Sequence, residues 1–168
     1  MDIENIPPEE REPFLAFQER VRGTNISEQS LLATDYLNHF NEIVMLFEMI
    51  PMMPEIAEEA RQWEPKSYQQ HFRDSSFSDK DLAIEAYDHV PTCFRRPFED
   101  VVAALNQLVP QSLDRIEQAA QEDPEKATEI ANDASRRMQI LMDKASAIIH
   151  GSNRALEQSE IDDLLFES

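Results

Sequence analysis

Apolar side chains recur at steps of three and four residues along most of the chain, which is the period of helices that bury one face. The clearest stripe predicts a helix from Ser30 to Ile50, and a shorter stripe predicts a helix from Phe14 to Val21 that ends at Gly23. The alternation typical of strands is scarce, and the chain holds only two glycines. The pattern therefore predicts an all-α fold, a helical bundle of several helices punctuated by prolines.

Prolines divide the pattern that follows into shorter pieces. Helices are predicted over residues 54–63 and 65–72, each beginning at a proline. Ser78 is the predicted N-cap of the next helix, because a hydroxyl there can accept from a backbone N–H of the first turn. Pro110 lacks a backbone N–H, so it is predicted to break or kink a helix that begins at Phe98.

The longest later helix is predicted over residues 124–150. Asp123 and Pro124 form a cap followed by a proline at the first helical position, and Gly151 ends the helix. Its apolar residues recur close to a heptad spacing: Ala127, Ile130, Ala134, Met138, Leu141, Ala145 and Ile148. This seam either lines an internal antiparallel bundle, the favoured interpretation, or pairs two copies of the chain in a structural homodimer.

Three regions follow from these elements. Residues 1–13 combine prolines with acidic side chains and are predicted to be a flexible acidic lead-in. Residues 14–150 form the predicted helical domain, and residues 151–168 a linker followed by a C-terminal docking helix. A chain of 168 residues is long enough for one such domain to bury a real core.

The charge balance argues against several classes of partner. Fifteen basic and 34 acidic residues leave a formal net charge of −19, which repels nucleic-acid backbones and anionic lipid surfaces. No apolar run is long enough for membrane insertion, and no signal-peptide pattern opens the chain. Cys93 is the lone cysteine and fits a reducing compartment. The predicted location is cytoplasmic.

The four histidines do not suggest a metal site. None has the Glu-x-x-His spacing of carboxylate-bridged di-iron bundles, so neither a metal nor another cofactor is predicted. Asp35 and His39, and likewise Glu85 and His89, lie four residues apart and are predicted to form solvated pairs on helix surfaces. His39 itself is predicted to be a partly packed surface residue.

Two carboxylate–amide pairs are weak candidates for catalysis. Glu129 with Asn132, and Asp114 with Gln118, each place an acid and an amide on one helix face, where they can orient a water for attack on an acyl phosphate. In outline they resemble the pairs of response-regulator phosphatases. Such spacings also arise by chance in acid-rich helices, so ordinary helix surface is the favoured interpretation and enzyme activity is not the leading prediction.

Residues 159–166 form a miniature acidic amphipathic helix. Ser159 can cap it, and Ile161, Leu164 and Leu165 share one face at i, i+3, i+4 spacing. A helix this short is marginal in water, so its apolar face must dock on something. The two alternatives are the body of the same chain and a groove on another protein.

The segment Gln158 to Leu165 resembles the short peptide at the start of flagellar motor switch proteins and at the end of the helical chemotaxis phosphatase. In those families the peptide folds onto a receiver domain. The resemblance implies that Ile161, Leu164 and Leu165 anchor the contact and that Asp162 and Asp163 meet basic partners. Phe166 is predicted as a further partner-binding residue.

The function predicted from this resemblance is a cytoplasmic helical adaptor. Its partner would be a receiver domain or a motor switch component in bacterial chemotaxis, motility or two-component signalling. The alternatives are an aspartyl-phosphate phosphatase for a receiver domain and a structural homodimer.

Overall fold

The computed structural model describes residues 3–152 and 158–165, and nearly all of this part of the chain is helical. The α-helices are α1 (Pro8–Val21), α2 (Asn38–Met49), α3 (Ile56–Arg61), α4 (Tyr68–Asp74), α5 (Lys80–Tyr87), α6 (Thr92–Glu122), α7 (Pro124–Ile149) and α8 (Gln158–Leu165). The described residues form no strand, and the predicted all-α class is confirmed. Among these helices none is both long and apolar enough to cross a membrane.

The hairpin of α6 and α7 forms the centre of the fold, and α2 packs against α7. Only Asp123 separates α6 from α7, so the two long helices run antiparallel. The seam on α7 is buried at every position, at Ala127, Ile130, Ala134, Met138, Leu141, Ala145 and Ile148. The chain's own helices therefore cover the stripe, as the internal-bundle interpretation predicts, and it is not left open for a second copy.

Both ends of α7 lie where the sequence places them. The Asp123 carboxylate accepts hydrogen bonds from the backbone N–H groups of Glu125 at 3.1 Å and Lys126 at 3.4 Å. Pro124 occupies the first turn, where its missing N–H costs no hydrogen bond. Beyond the last turn, Gly151 has a φ of +113°, a backbone conformation that L side chains rarely adopt.

Of the two effects predicted for Pro110, a break or a kink, the break is wrong. α6 is continuous from Thr92 to Glu122 and passes through both Pro97 and Pro110. Each proline removes one hydrogen bond of the helix ladder, a local penalty that the sequence rule counts. The rule leaves out the packing of α6 along α7, which stabilises the helix in spite of its prolines.

The predicted helix over residues 30–50 begins late. Residues 30–33 are fully buried but irregular, a short 3-10 turn covers Thr34–Leu37, and α2 starts at Asn38. Leu31 has a φ of +68°. The Ala33 N–H donates to the Tyr68 hydroxyl at 2.8 Å rather than to the preceding turn. Tertiary partners satisfy this backbone, so the apolar run does not need to be helical to be buried.

Helix begins inside the predicted lead-in of residues 1–13. A 3-10 turn covers Ile3–Asn5, α1 begins at Pro8, and Ile6 is fully buried. The Arg11 guanidinium donates to the Ile6 carbonyl at 2.7 Å and fixes the entry to the helix. Proline is compatible with the first turn, so the prolines here start a helix rather than prevent one.

The short helices are shifted by a few residues from their predicted bounds. α3 covers Ile56–Arg61 rather than 54–63. α4 begins after Ser67, whose hydroxyl accepts from the Gln70 N–H at 3.1 Å, rather than at Pro65. Asp79, not Ser78, immediately precedes α5 and makes no side-chain cap bond.

Candidate functional site

The tail helix α8 packs on the chain's own body, against α6 and α7. Leu165 is 5% exposed, and Ile161 and Leu164 are partly buried against the core. The groove beneath them is formed by Leu108 and Ser112 of α6 together with Ile130 and Ala134 of α7. Of the two docking alternatives, the described structure contains the contact with the same chain.

Two side chains of the body hold the backbone of the tail helix. The Gln111 amide donates to the carbonyl oxygen of Leu165, and the Arg137 guanidinium donates to the carbonyl oxygen of Asp163. Both acceptors lie in the last turn of α8, where helix carbonyls have no partner within the helix. These contacts therefore cap the end of a helix that is otherwise too short to be stable.

Arg137 is itself positioned by Asp133, one turn earlier on α7. Its Nε donates to Asp133 Oδ2 at 2.5 Å, and the Arg137 side chain is 14% exposed. Burial acts to raise the pKa of Asp133, but hydrogen bonds from Arg137 and Arg136 outweigh that effect and leave the pKa below its ordinary value. Asp133 therefore stays charged and orients the guanidinium toward the tail helix.

The acidic residues of the tail helix differ in exposure. Asp163 is exposed, whereas Asp162 and Glu160 are half-buried. Phe166, predicted as a further anchor, lies outside the described residues. The sequence did not identify Gln111 and Arg137 as tail contacts, because their role depends on a groove between two helices distant along the chain from the tail.

The structure places both carboxylate–amide pairs on exposed helix surface. Glu129 and Asn132 lie on α7, and Glu129 is 3.9 Å from Lys126 Nζ. On α6, Asp114 accepts from Arg61 Nη2 at 2.6 Å, and Gln118 is exposed. None of these four side chains lines any of the five main clefts of the described part of the chain. Their catalytic role stays a prediction.

The predicted pair of Asp35 and His39 is wrong. Asp35 Oδ2 lies 3.0 Å from Nε2 of His71, 36 residues further along the chain. His39 is buried, stacks on Trp63 with 4.6 Å between ring centroids, and has an Nε2 without a hydrogen-bond partner. Burial, reinforced by the nearby His71 and Lys66, lowers the pKa of His39 to about 4. His39 is thus a neutral core residue rather than a surface one.

The second predicted histidine pair is also wrong. Both oxygens of Glu85 accept from the Arg20 guanidinium, at 3.1 and 2.9 Å, which joins α5 to α1. The His89 ring instead stacks on Phe17, with 4.6 Å between the ring centroids. Tertiary packing therefore decides both pairings, and the four-residue spacing does not.

The part of the chain described by the structure contains no group of three or more histidine, cysteine, aspartate or glutamate side chains arranged to hold a metal ion. Comparison of the chain with protein-family models, curated proteins and solved structures gave no significant match. The function is therefore inferred from the tail helix and from the groove that holds it.

Proposed function

We propose that the chain is a helical adaptor that binds a partner protein through α8, and that α8 stays docked on α6 and α7 until a partner competes for it. The partner class that the tail sequence fits best is a receiver domain or a motor switch component of bacterial chemotaxis or two-component signalling. In this role the protein works in the cytoplasm and needs no catalytic residue.

The observation that supports the proposal is the shallow seat of the tail helix. Leu165 is buried, but Ile161 and Leu164, the other two residues of its apolar face, are only partly covered. Burying one leucine contributes about 1.5–3 kcal/mol before the cost of ordering the helix is subtracted. A partner that covers the whole apolar face would bury more of Ile161 and Leu164 than the docked state does, and it competes with that state on this ground.

The hydrogen bonds from the body suit a replaceable contact. Gln111 and Arg137 both donate to backbone carbonyls at the end of α8, and these two hydrogen bonds do not depend on which side chains the tail carries. Asp163 presents its carboxylate to solvent, where it is accessible to a basic partner surface.

The test is a binding titration with a purified chemotaxis-type receiver domain, both unmodified and activated with beryllofluoride. Full-length chain is expected to bind one form with micromolar affinity. Deletion of residues 157–168, or Leu164→Ala with Leu165→Ala, is expected to abolish binding. Leu15→Ala is the matched control, because Leu15 is an exposed leucine on α1.

Two results would contradict the adaptor. One is a truncated chain that binds the receiver domain as tightly as the full chain. The other is a truncated chain that loses its cooperative thermal unfolding, measured by circular dichroism, because the tail would then be part of the core.

Arg137→Gln weakens only the internal contact, so it is expected to tighten partner binding by about fivefold, opposite in sign to the leucine changes.

A further inference from the structure

A second surface of the molecule is unusually apolar, at the end of α2 and in the turn to α3. Four methionines within nine residues are exposed there: Met45 by 61%, Met49 by 42%, Met52 by 88% and Met53 by 44%. Among the large apolar side chains of the described residues, Leu15 is the one other that is exposed to this degree. Methionine is flexible and polarisable, and clusters of it are typical of surfaces that bind helices of varied shape.

An apolar groove of about 350 Å³ lies beside this segment of the chain, since its lining includes Ile50, which follows Met49, and Pro54, which follows Met53. Ile50 and Pro54, which flank Met52 and Met53 along the chain, line one wall together with Ala57 of α3. Ile116, Ala120 and Ala127, at the end of α6 and the start of α7, line the other wall. We name the groove and the four methionines together the methionine face.

The charged side chains that line the groove all have one sign. Glu55, Glu58 and Glu117 line the groove, and no lysine or arginine lines it. Glu117 is paired with Arg61 at 2.8 Å, whereas Glu55 and Glu58 are exposed. The face therefore combines an apolar floor with a negative rim.

This combination discriminates among the possible occupants. The chain's own tail helix carries Glu160, Asp162 and Asp163 on eight residues, and the rim would repel it. A second copy brings a formal charge of −19 of its own. A helix with one apolar face and flanking lysines or arginines is attracted by the rim and desolvated on the floor.

We infer that the methionine face is a docking site for a basic amphipathic helix of a partner protein. No described residue lines both this groove and the groove that holds α8.

The test uses a fluorescent model peptide of about 20 residues, with leucines on one helical face and lysines on the other. Anisotropy titrations compare the full-length chain with a variant carrying Met49→Gln, Met52→Gln and Met53→Gln. Glutamine matches methionine in helix propensity, so circular dichroism is expected to be unchanged. The triple variant is expected to weaken peptide binding at least tenfold, and Leu15→Gln less than twofold.

A second comparison isolates the rim. Glu55→Gln with Glu58→Gln removes two charges at the groove, and Glu9→Gln with Glu12→Gln removes two charges from the exposed part of α1. The groove pair is expected to weaken binding at least threefold and to reduce its salt dependence, whereas the α1 pair is expected to change it less than twofold.

Three outcomes would overturn the inference. Equal losses in the groove and α1 variants would show that any negative surface suffices. Equal binding of a peptide with glutamates in place of lysines would remove the role of charge. Sedimentation of the unmodified chain as a dimer that the methionine changes dissociate would identify a second copy as the occupant.

Discussion

Arg137 donates a hydrogen bond to the backbone carbonyl oxygen of Asp163, and so joins the central hairpin to the tail helix. The adjacent Arg136 also pairs with Asp133 but is 64% exposed and makes no hydrogen bond or ion pair with the described residues of the tail. The two arginines therefore form a matched pair for mutation. They differ in contact with α8 while sharing charge, helix and carboxylate partner.

We expect Arg137→Gln to open the tail helix about fivefold more often, because a hydrogen bond from a charged donor contributes on the order of 1 kcal/mol at a partly exposed site. Hydrogen exchange of the backbone amides at 161–165 measures this opening. Arg136→Gln is expected to leave exchange there unchanged. Equal exchange in the two variants would show that Arg137 does not hold the tail.

His39 makes the stability of the fold depend on pH. The pKa of His39 is about 4 in the folded chain, against an ordinary value of 6.5. As pH falls from 6.5 toward 4, the unfolded chain takes up a proton that the folded chain excludes, so the free energy of unfolding decreases. Above pH 6.5 this effect does not reduce stability. Between pH 7 and pH 5 it lowers the free energy of unfolding by about 2 kcal/mol.

His39→Phe keeps a ring to stack on Trp63 and removes this titration, so the variant is expected to lose less stability between pH 7 and pH 5 than the unmodified chain. Urea unfolding at the two pH values measures the difference. The control is His150→Gln, since His150 is exposed, and its pH dependence is expected to match that of the unmodified chain. A His39→Phe slope equal to that of His150→Gln would refute the assignment.

The two glycines differ in what a side chain would meet. Gly151 has a φ of +113°, and an added Cβ would lie 2.9 Å from Gln29 Oε1, whereas Gly23 has a φ of +79° and open space around it. Gly23→Ala is expected to cost about 1 kcal/mol of stability and Gly151→Ala about 2 kcal/mol. In a chain of this size each kcal/mol lowers Tm by about 2–4 °C.

The Gln29 contact explains little of that difference, because its amide is the end of a flexible side chain and can move. Gln29→Ala is therefore expected to recover only a few tenths of a kcal/mol in the Gly151→Ala background, measured by thermal unfolding. Full recovery would show that the contact, and not the backbone conformation, is what requires glycine at this position.

The exposed carboxylate–amide pairs allow the phosphatase alternative to be tested directly. A phosphorylated receiver domain is mixed with the unmodified chain or with Asn132→Ala or Gln118→Ala. We expect both variants to give the same dephosphorylation rate as the unmodified chain, because neither side chain lines a main cleft. The measurement is loss of the radiolabelled phosphoryl group. A tenfold slower rate in either variant than with the unmodified chain would assign a catalytic role to that pair.

Local signals predicted α7 well because both of its ends are decided by neighbouring residues. Asp123 caps its own helix, and Gly151 supplies a conformation that other residues avoid. Pro110 was misread because its local penalty is offset by packing against a helix that a local rule does not consider. The start of α2 was misread for the same reason, since Tyr68 satisfies the backbone of Ala33 from 35 residues away.

The candidate site, like the fold, could be predicted from the sequence only in part. The amphipathic pattern identified Ile161, Leu164 and Leu165 as a face that must dock, and the structure places that face against the chain. The receiving groove could not be predicted, because Gln111 and Arg137 come together only once α6 and α7 have packed. The partner of Asp35 was missed for the same reason.

The end of α7 has a consequence for any partner of the tail. Ser30 Oγ donates to the Ile149 carbonyl at 2.6 Å and fixes the point from which the tail segment departs. α8 begins nine residues after Ile149, and a connection of that length holds a ligand at an effective concentration in the millimolar range. In the proposed adaptor, changes at Gln111 or Arg137 are therefore expected to change the apparent affinity for a partner without altering the tail helix itself.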